Sequence, residues 1–111
     1  MEITSTEYKR CDYVKAKGRI DSITATELEE TFNQILQAGK SGIVFDMNDV
    51  DFIASRGIWV LIDTQKTLKR KKGKLVLVNI PEDMKRPLLD YAGVKFFFEV
   101  YDDVTEAVGS F

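Results

Sequence analysis

The sequence contains no histidine. That excludes an imidazole general base, a Ser–His or Cys–His nucleophilic pair, and any histidine metal ligand. Its one cysteine, Cys11, allows no internal disulfide, which suits a reducing compartment. No apolar run approaches the roughly 20 residues that span a bilayer. The start, Met1-Glu2-Ile3-Thr4-Ser5, has no basic stretch leading into an apolar one, so no secretory signal is expected. Neither sign of charge dominates: 16 Lys and Arg stand against 18 Asp and Glu. No general affinity for nucleic acid or anionic membranes is expected from that balance. These absences argue against most enzymes and predict a cytoplasmic protein that needs no cofactor.

What is present suits one globular domain. The chain has 111 residues, 44% hydrophobic and 31% charged, with no linker, repeat or low-complexity stretch. A chain of this length buries roughly two-thirds of its unfolded surface, enough for one core. A single domain over residues 1–111 is expected.

The apolar period alternates along the chain. Ile3 to Tyr8 is short and β-rich, Lys9 to Asp12 reads as a turn, and Tyr13 to Ile20 alternates as a half-buried strand. The two strands should pair as a hairpin. A helix follows, with Thr24 and Glu27 spaced as a capping box. Leu28, Phe32, Ile35 and Leu36 form its stripe, and Gly39 ends it. Ile43-Val44-Phe45 is an apolar run of the buried-strand type. The next helix should span about Ser55 to Lys72, with Ile58, Leu61, Ile62 and Leu68 inward and Gly73 as its stop. Leu75 to Val78 is a second buried strand. Pro81 opens a helical region reaching Ala92 and closed by Gly93, which Pro87 should kink or delay. Phe96 to Tyr101 is an aromatic strand, and Asp103 with Glu106 heads a last helix through Val108. The order β-β-α-β-α-β-α-β-α predicts an α/β domain with a small, mostly parallel mixed sheet, about four helices and an N-terminal hairpin.

The most informative segment is Asp46 to Ile58, which is expected to leave a central strand and enter a helix. In open α/β sheets, ligands and partners bind at such strand ends. Ser55 is placed to cap that helix, and Gly57 permits close backbone approach. By residue type alone the plainer reading is the stronger one. Ser is an ordinary cap and Asp46, Asp49 and Asp51 are ordinary turn acids.

A resemblance changes that balance. Gly18-Arg19-Ile20-Asp21-Ser22, the helix start Thr24 to Leu28, and Ile43-Val44-Phe45-Asp46 each resemble segments of the STAS-domain family, in that order. So do Val50 to Ile58, Gly73 to Leu77, and Phe97 to Ala107. Together they span essentially the whole chain and are most similar to bacterial anti-sigma factor antagonists. In those proteins the turn reads Asp-Ser-Ser/Thr-Gly, and the serine after Asp is phosphorylated by an anti-sigma factor kinase. The matching serine is Ser55. The resemblance implies a non-enzyme that binds the anti-sigma factor, a serine protein kinase, when unphosphorylated. Phosphorylation of Ser55 would release it, and so regulate sigma-factor-dependent transcription. A serine phosphatase is the second implied partner. The implied partner surface comprises Asp21, Asp46, Ala54, Ser55, Arg56, Gly57 and Trp59. The sequence departs from the pattern twice. Ala54 replaces the Asp, and Arg56 replaces the small hydroxyl residue.

Other features have plainer readings. The basic run Lys66, Lys69, Arg70, Lys71, Lys72 and Lys74 complements a helix C-terminus rather than forming a nucleic-acid patch, since no aromatic residues interleave with it. Trp59 reads as a flank of the core, with an exposed anchor as the alternative. At least one of Phe96, Phe97 and Phe98 should be core. Cys11, in a turn, reads as an inert thiol.

Two other functions compete. One is a non-phosphorylated STAS module, a scaffold or ligand-binding subunit in a signalling or lipid-transport assembly, motivated by Ala54 and Arg56. The other is a magnesium enzyme using Asp46, Asp49 and Asp51. It is the weakest, because no phosphate loop or second acidic cluster accompanies them.

Overall fold

The computed structural model describes residues 1–90 and 97–111. The chain runs β1 (Glu2–Glu7), β2 (Asp12–Ile20), α1 (Thr24–Gln37), β3 (Gly42–Ile53) and α2 (Ser55–Arg70). It continues as β4 (Lys74–Val78), α3 (Glu82–Asp90), β5 (Glu99–Tyr101) and α4 (Val104–Gly109). The number and order of elements are those expected. The helix end at Ala92, its Gly93 stop and the strand start at Phe96 lie outside the described residues.

The strands form one sheet in the order β1-β2-β3-β4-β5. β1 is antiparallel to β2, and all other neighbours are parallel. Right-handed crossovers between strands laid down in one direction keep returning to the same face. α1, α2 and α3 therefore share one side. Leu28 and Phe32, Leu61 and Leu68, and Met84 and Leu88 pack there with Val14, Ile43, Phe45 and Leu75. Phe32 meets Phe45 edge-on at 5.6 Å. α4 covers part of the other face, where Ala107 joins Cys11, Val44, Val76 and Val78.

Local chemistry departs from expectation in several places. At the start of α1 the reciprocal pair is Asp21 with Thr24, not Thr24 with Glu27, while Ile23, the residue before the helix, makes no side-chain cap bond. Asp21 Oδ1 accepts from the Thr24 amide at 2.9 Å, and Thr24 Oγ accepts from the Asp21 amide at 2.8 Å. The chain takes the left-handed geometry after α2 at Lys72 (φ 63°), not at Gly73. Gly73 serves close approach instead, since a Cβ there would lie 1.7 Å from the Ser41 carbonyl oxygen. α3 starts at Glu82 and runs through Pro87 without delay. Asp103 caps α4 as expected, accepting from the Thr105 amide at 2.8 Å.

The largest difference is β3. Its pairing with β4 stops at Asp46 and Val78, yet it continues to Ile53 on β2 alone. Register shifts between Lys15 and Lys17 and between Gly18 and Arg19 mark where the longer strand adjusts to its partner. The acidic run that resembles a turn is thus mostly strand.

Candidate functional site

The C-terminal ends of β2 and β3 lie side by side, tied by a 2.8 Å bond from the Ala54 amide to the Ile20 carbonyl. α1 leaves from one strand and α2 from the other. Asp21 and Ser55 are brought to the same end of the sheet in this way. Asp21 also accepts from the Ile23 amide at 3.0 Å. The Thr24 bonds, chiefly the backbone one, hold its carboxyl below the usual aspartate range.

Ser55 is not the cap of α2. Ala54 takes that position with extended backbone (φ -82°, ψ 166°), and no side chain caps the helix. Ser55 is the first helical residue and is exposed. Among the described residues its hydroxyl has no hydrogen-bond partner. The first turn carries no acidic residue, so its free amides face no competing carboxylate.

Arg56 Nη2 lies 3.4 Å from Glu29 Oε1 and links α2 to α1. Both side chains are largely exposed, so the pair contributes at most about 1 kcal/mol. Gly57 is buried against the strand ends. A Cβ there would stand 2.8 Å from Ile20 Cγ2 and 2.8 Å from Ile53 Cγ1. The glycine lets α2 sit on the sheet and holds Ser55 at its height.

Trp59 is 43% exposed, which corrects the core assignment. The buried face of α2 is broad, from Gly57 and Ile58 through Val60 to Gln65 and Leu68. Trp59 falls outside it, one turn beyond Ser55 on the outward side. Two further apolar side chains are exposed at this end and were not singled out from the sequence. Ile23 is 78% and Phe52 37% exposed. Ile23 is out of phase with the Leu28–Phe32 stripe, a signal visible in the sequence. Arg19 lies over the Phe52 ring at 3.9 Å.

Asp46 does not reach this end. It is 3% exposed and about 20 Å up the strand. It accepts from Tyr13 Oη, and from the Asn48 amide at 2.9 Å. Asp49 pairs with Lys15 at 3.1 Å, and Asp51 is exposed on the strand beyond it. Among the described residues no group of three His, Cys, Asp or Glu side chains is placed to hold a metal ion. No helix among them is long and apolar enough to cross a membrane. Lys74 leaves the basic run to pair with Glu99 at 3.1 Å, and Lys71 reaches the Leu36 carbonyl at 3.2 Å.

The strand-end turn on a mixed five-stranded sheet defines the class of protein. The STAS domain model matches residues 2–107, and the chain belongs to that family. It is 26% identical over 100 residues to the anti-sigma-B factor antagonist of Staphylococcus aureus, covering 90% of this chain and 92% of that protein. An anti-sigma factor antagonist from Mycobacterium paratuberculosis has a similar fold. The TM-score is 0.87 at 23% identity, over 98% of this chain and 92% of the other. The Bacillus cell fate determinant SpoIIAA in its phosphorylated form superimposes with a TM-score of 0.78 at 15% identity, over 98% of each chain.

Proposed function

We propose that this protein is an anti-sigma factor antagonist switched by phosphorylation of Ser55. The observation that carries the reading is the state of Ser55: exposed, with an unengaged hydroxyl, at the first position of a helix that no side chain caps. Similarity to named antagonists over nine-tenths or more of each chain supports it. The unphosphorylated protein docks on an anti-sigma factor serine kinase through Asp21, Ala54, Ser55, Arg56 and Trp59, while Gly57, buried beneath them, sets their height rather than touching the partner. Sigma factor is then free for transcription. The kinase supplies the chemistry, and the chain supplies an acceptor and a surface, working in the cytoplasm. A serine phosphatase resets it.

The electrostatics suit a switch without unfolding. A phosphate adds about -1.5 to -2 charge at the start of α2. The free amides there favour it by about 0.3–1 kcal/mol. Arg56, whose bond to Glu29 is weak and exposed, is one residue away and free to exchange partners. Against an acidic partner surface the same charge costs several kcal/mol. A loss of about 4 kcal/mol weakens binding roughly a thousandfold.

The test uses the cognate anti-sigma kinase and ATP. Intact mass should show one added phosphate on the wild type and none on Ser55→Ala. Ser55→Asp should weaken binding to the kinase at least about a hundredfold. Its thermal midpoint should stay within about 2 °C of wild type, as for a surface substitution. Kinase binding by Ser55→Asp as tight as wild type would reject the switch.

A further inference from the structure

The same end of the sheet opens toward α3 into a groove of about 260 Å³. Phe52 and Ile53 from β3, Ile58 from α2, and Met84 and Leu88 from α3 form its walls. Asp51 and Asp83 stand on its border. Among the described residues neither carboxylate takes a hydrogen bond or an ion pair. Lys85 pairs with Glu82 and Asp102, and Arg19 lies over Phe52.

The backbone of this wall also lacks a strand partner on one side. β3 loses its partner β4 after Asp46 and runs to Ile53 paired only with β2. Among the described residues no other backbone–backbone bond reaches 47–53, and the one side-chain bond to its backbone is that of the Asn48 amide to Asp46 Oδ1, above the groove. A free strand edge is a template for another extended chain.

We propose that this groove takes an extended segment of a partner protein by strand addition to the free edge of β3. The segment carries one large apolar residue with Lys or Arg two positions to either side, on the same face of the strand. Main-chain bonds to 51–53 hold it in register. The apolar residue fills the space between Ile58, Met84 and Leu88, and the flanking cations meet Asp51 and Asp83. The edge adjoins Ala54 and Ser55, so a partner docked at Ser55 reaches it. The groove needs neither the kinase nor phosphorylation, and the inference stands without them.

The experiment is an amide NMR titration of the full chain with the peptide acetyl-Lys-Thr-Leu-Thr-Arg-amide. Saturable shifts are expected at 51–53, Ile58 and 83–88. An acidic counterpart, acetyl-Glu-Thr-Leu-Thr-Glu-amide, should produce none. Asp51→Lys with Asp83→Lys should weaken binding about tenfold or more, and Asp51→Asn with Asp83→Asn replaces that pair if it fails to fold. Two peptides N-methylated at alternate residues test strand addition, and one of the two should lose binding. Equal binding of the acidic peptide, shifts elsewhere, no effect of the aspartate changes, or full binding by both methylated peptides would each overturn the proposal. Kinase binding is measured separately, so failure of the Ser55 switch leaves this result readable.

Discussion

Ala54 and Gly57 show how single residues set the site. Ala54 holds the extended geometry of an N-cap but offers no acceptor. Asp in that place would accept from the free amides of α2, a contribution of about 1 kcal/mol. Ala54→Asp, which restores the residue of the antagonist turn, should therefore raise the thermal midpoint by about 4 °C. A scanning calorimetry trace with no rise would show those amides already satisfied by water at no cost. Gly57→Ala should do the reverse. Its methyl would strike Ile20, which is fully buried, and Ile53, so α2 must lift from the strand ends. Overpacking of this kind costs about 1–3 kcal/mol, read as a lower urea midpoint with an unchanged slope. A midpoint equal to wild type would mean that the isoleucines repack freely.

At the scale of the element, the periodic segments were legible and the polar ones were not. Alternation placed β2, and the Leu28–Phe32–Ile35 stripe placed α1, because burial of one face decides both. Asp46 to Asp51 read as a turn because Asp and Asn lower strand propensity. They stand in a strand because their partners come from far along the chain: Tyr13 for Asp46 and Lys15 for Asp49. Gln65 was illegible for the same reason. Its buried amide donates to the carbonyls of Leu75 and Phe97, at 3.1 and 2.8 Å, and accepts from the Leu75 amide at 2.7 Å. Those groups face α2 where the β4–β5 pairing is not in place. The site was legible in part. The sequence singles out Asp21 and Ser55, which lie at one end of the sheet, and Ile23 was legible from its phase, while Phe52 and the groove depend on how far β3 outruns β4. The α1 cap carries a pH signature. The Asp21 carboxyl is held below its ordinary value of 3.8 in the fold. Its stabilising share is therefore complete above that value and is lost as pH falls through the depressed one. Asp21→Asn keeps a capping oxygen but cannot titrate. It should match wild type at neutral pH and lose stability less steeply between about pH 4 and pH 2. Parallel melting curves over that range would refute the assignment.

The whole molecule is a sheet with unequal covers. Among the described residues three helices bury one face, while the other carries the six-residue α4, whose Ala107 packs with Cys11, Val44, Val76 and Val78. Stability follows that asymmetry, since regions with few buried contacts open first. α4 should open before the sheet and the helices of the other face unfold. Cys11 reports on that event. It is 1% exposed, in the cluster that Ala107 closes, with Val108 and Phe111 packed at the border. Burial raises its thiol above the usual range, so in the closed state it is doubly protected, by access and by protonation. A thiol reagent should label Cys11 slowly, at a rate set by opening of α4 rather than by global unfolding. Asp103→Ala removes the α4 cap, a loss of about 1 kcal/mol. Labelling should then quicken about fivefold. The urea dependence of labelling should be much shallower than that of circular dichroism, because little surface is exposed when six residues lift. If the two slopes coincide, α4 and the main core unfold as one unit, and the thin face is as firmly held as the thick one.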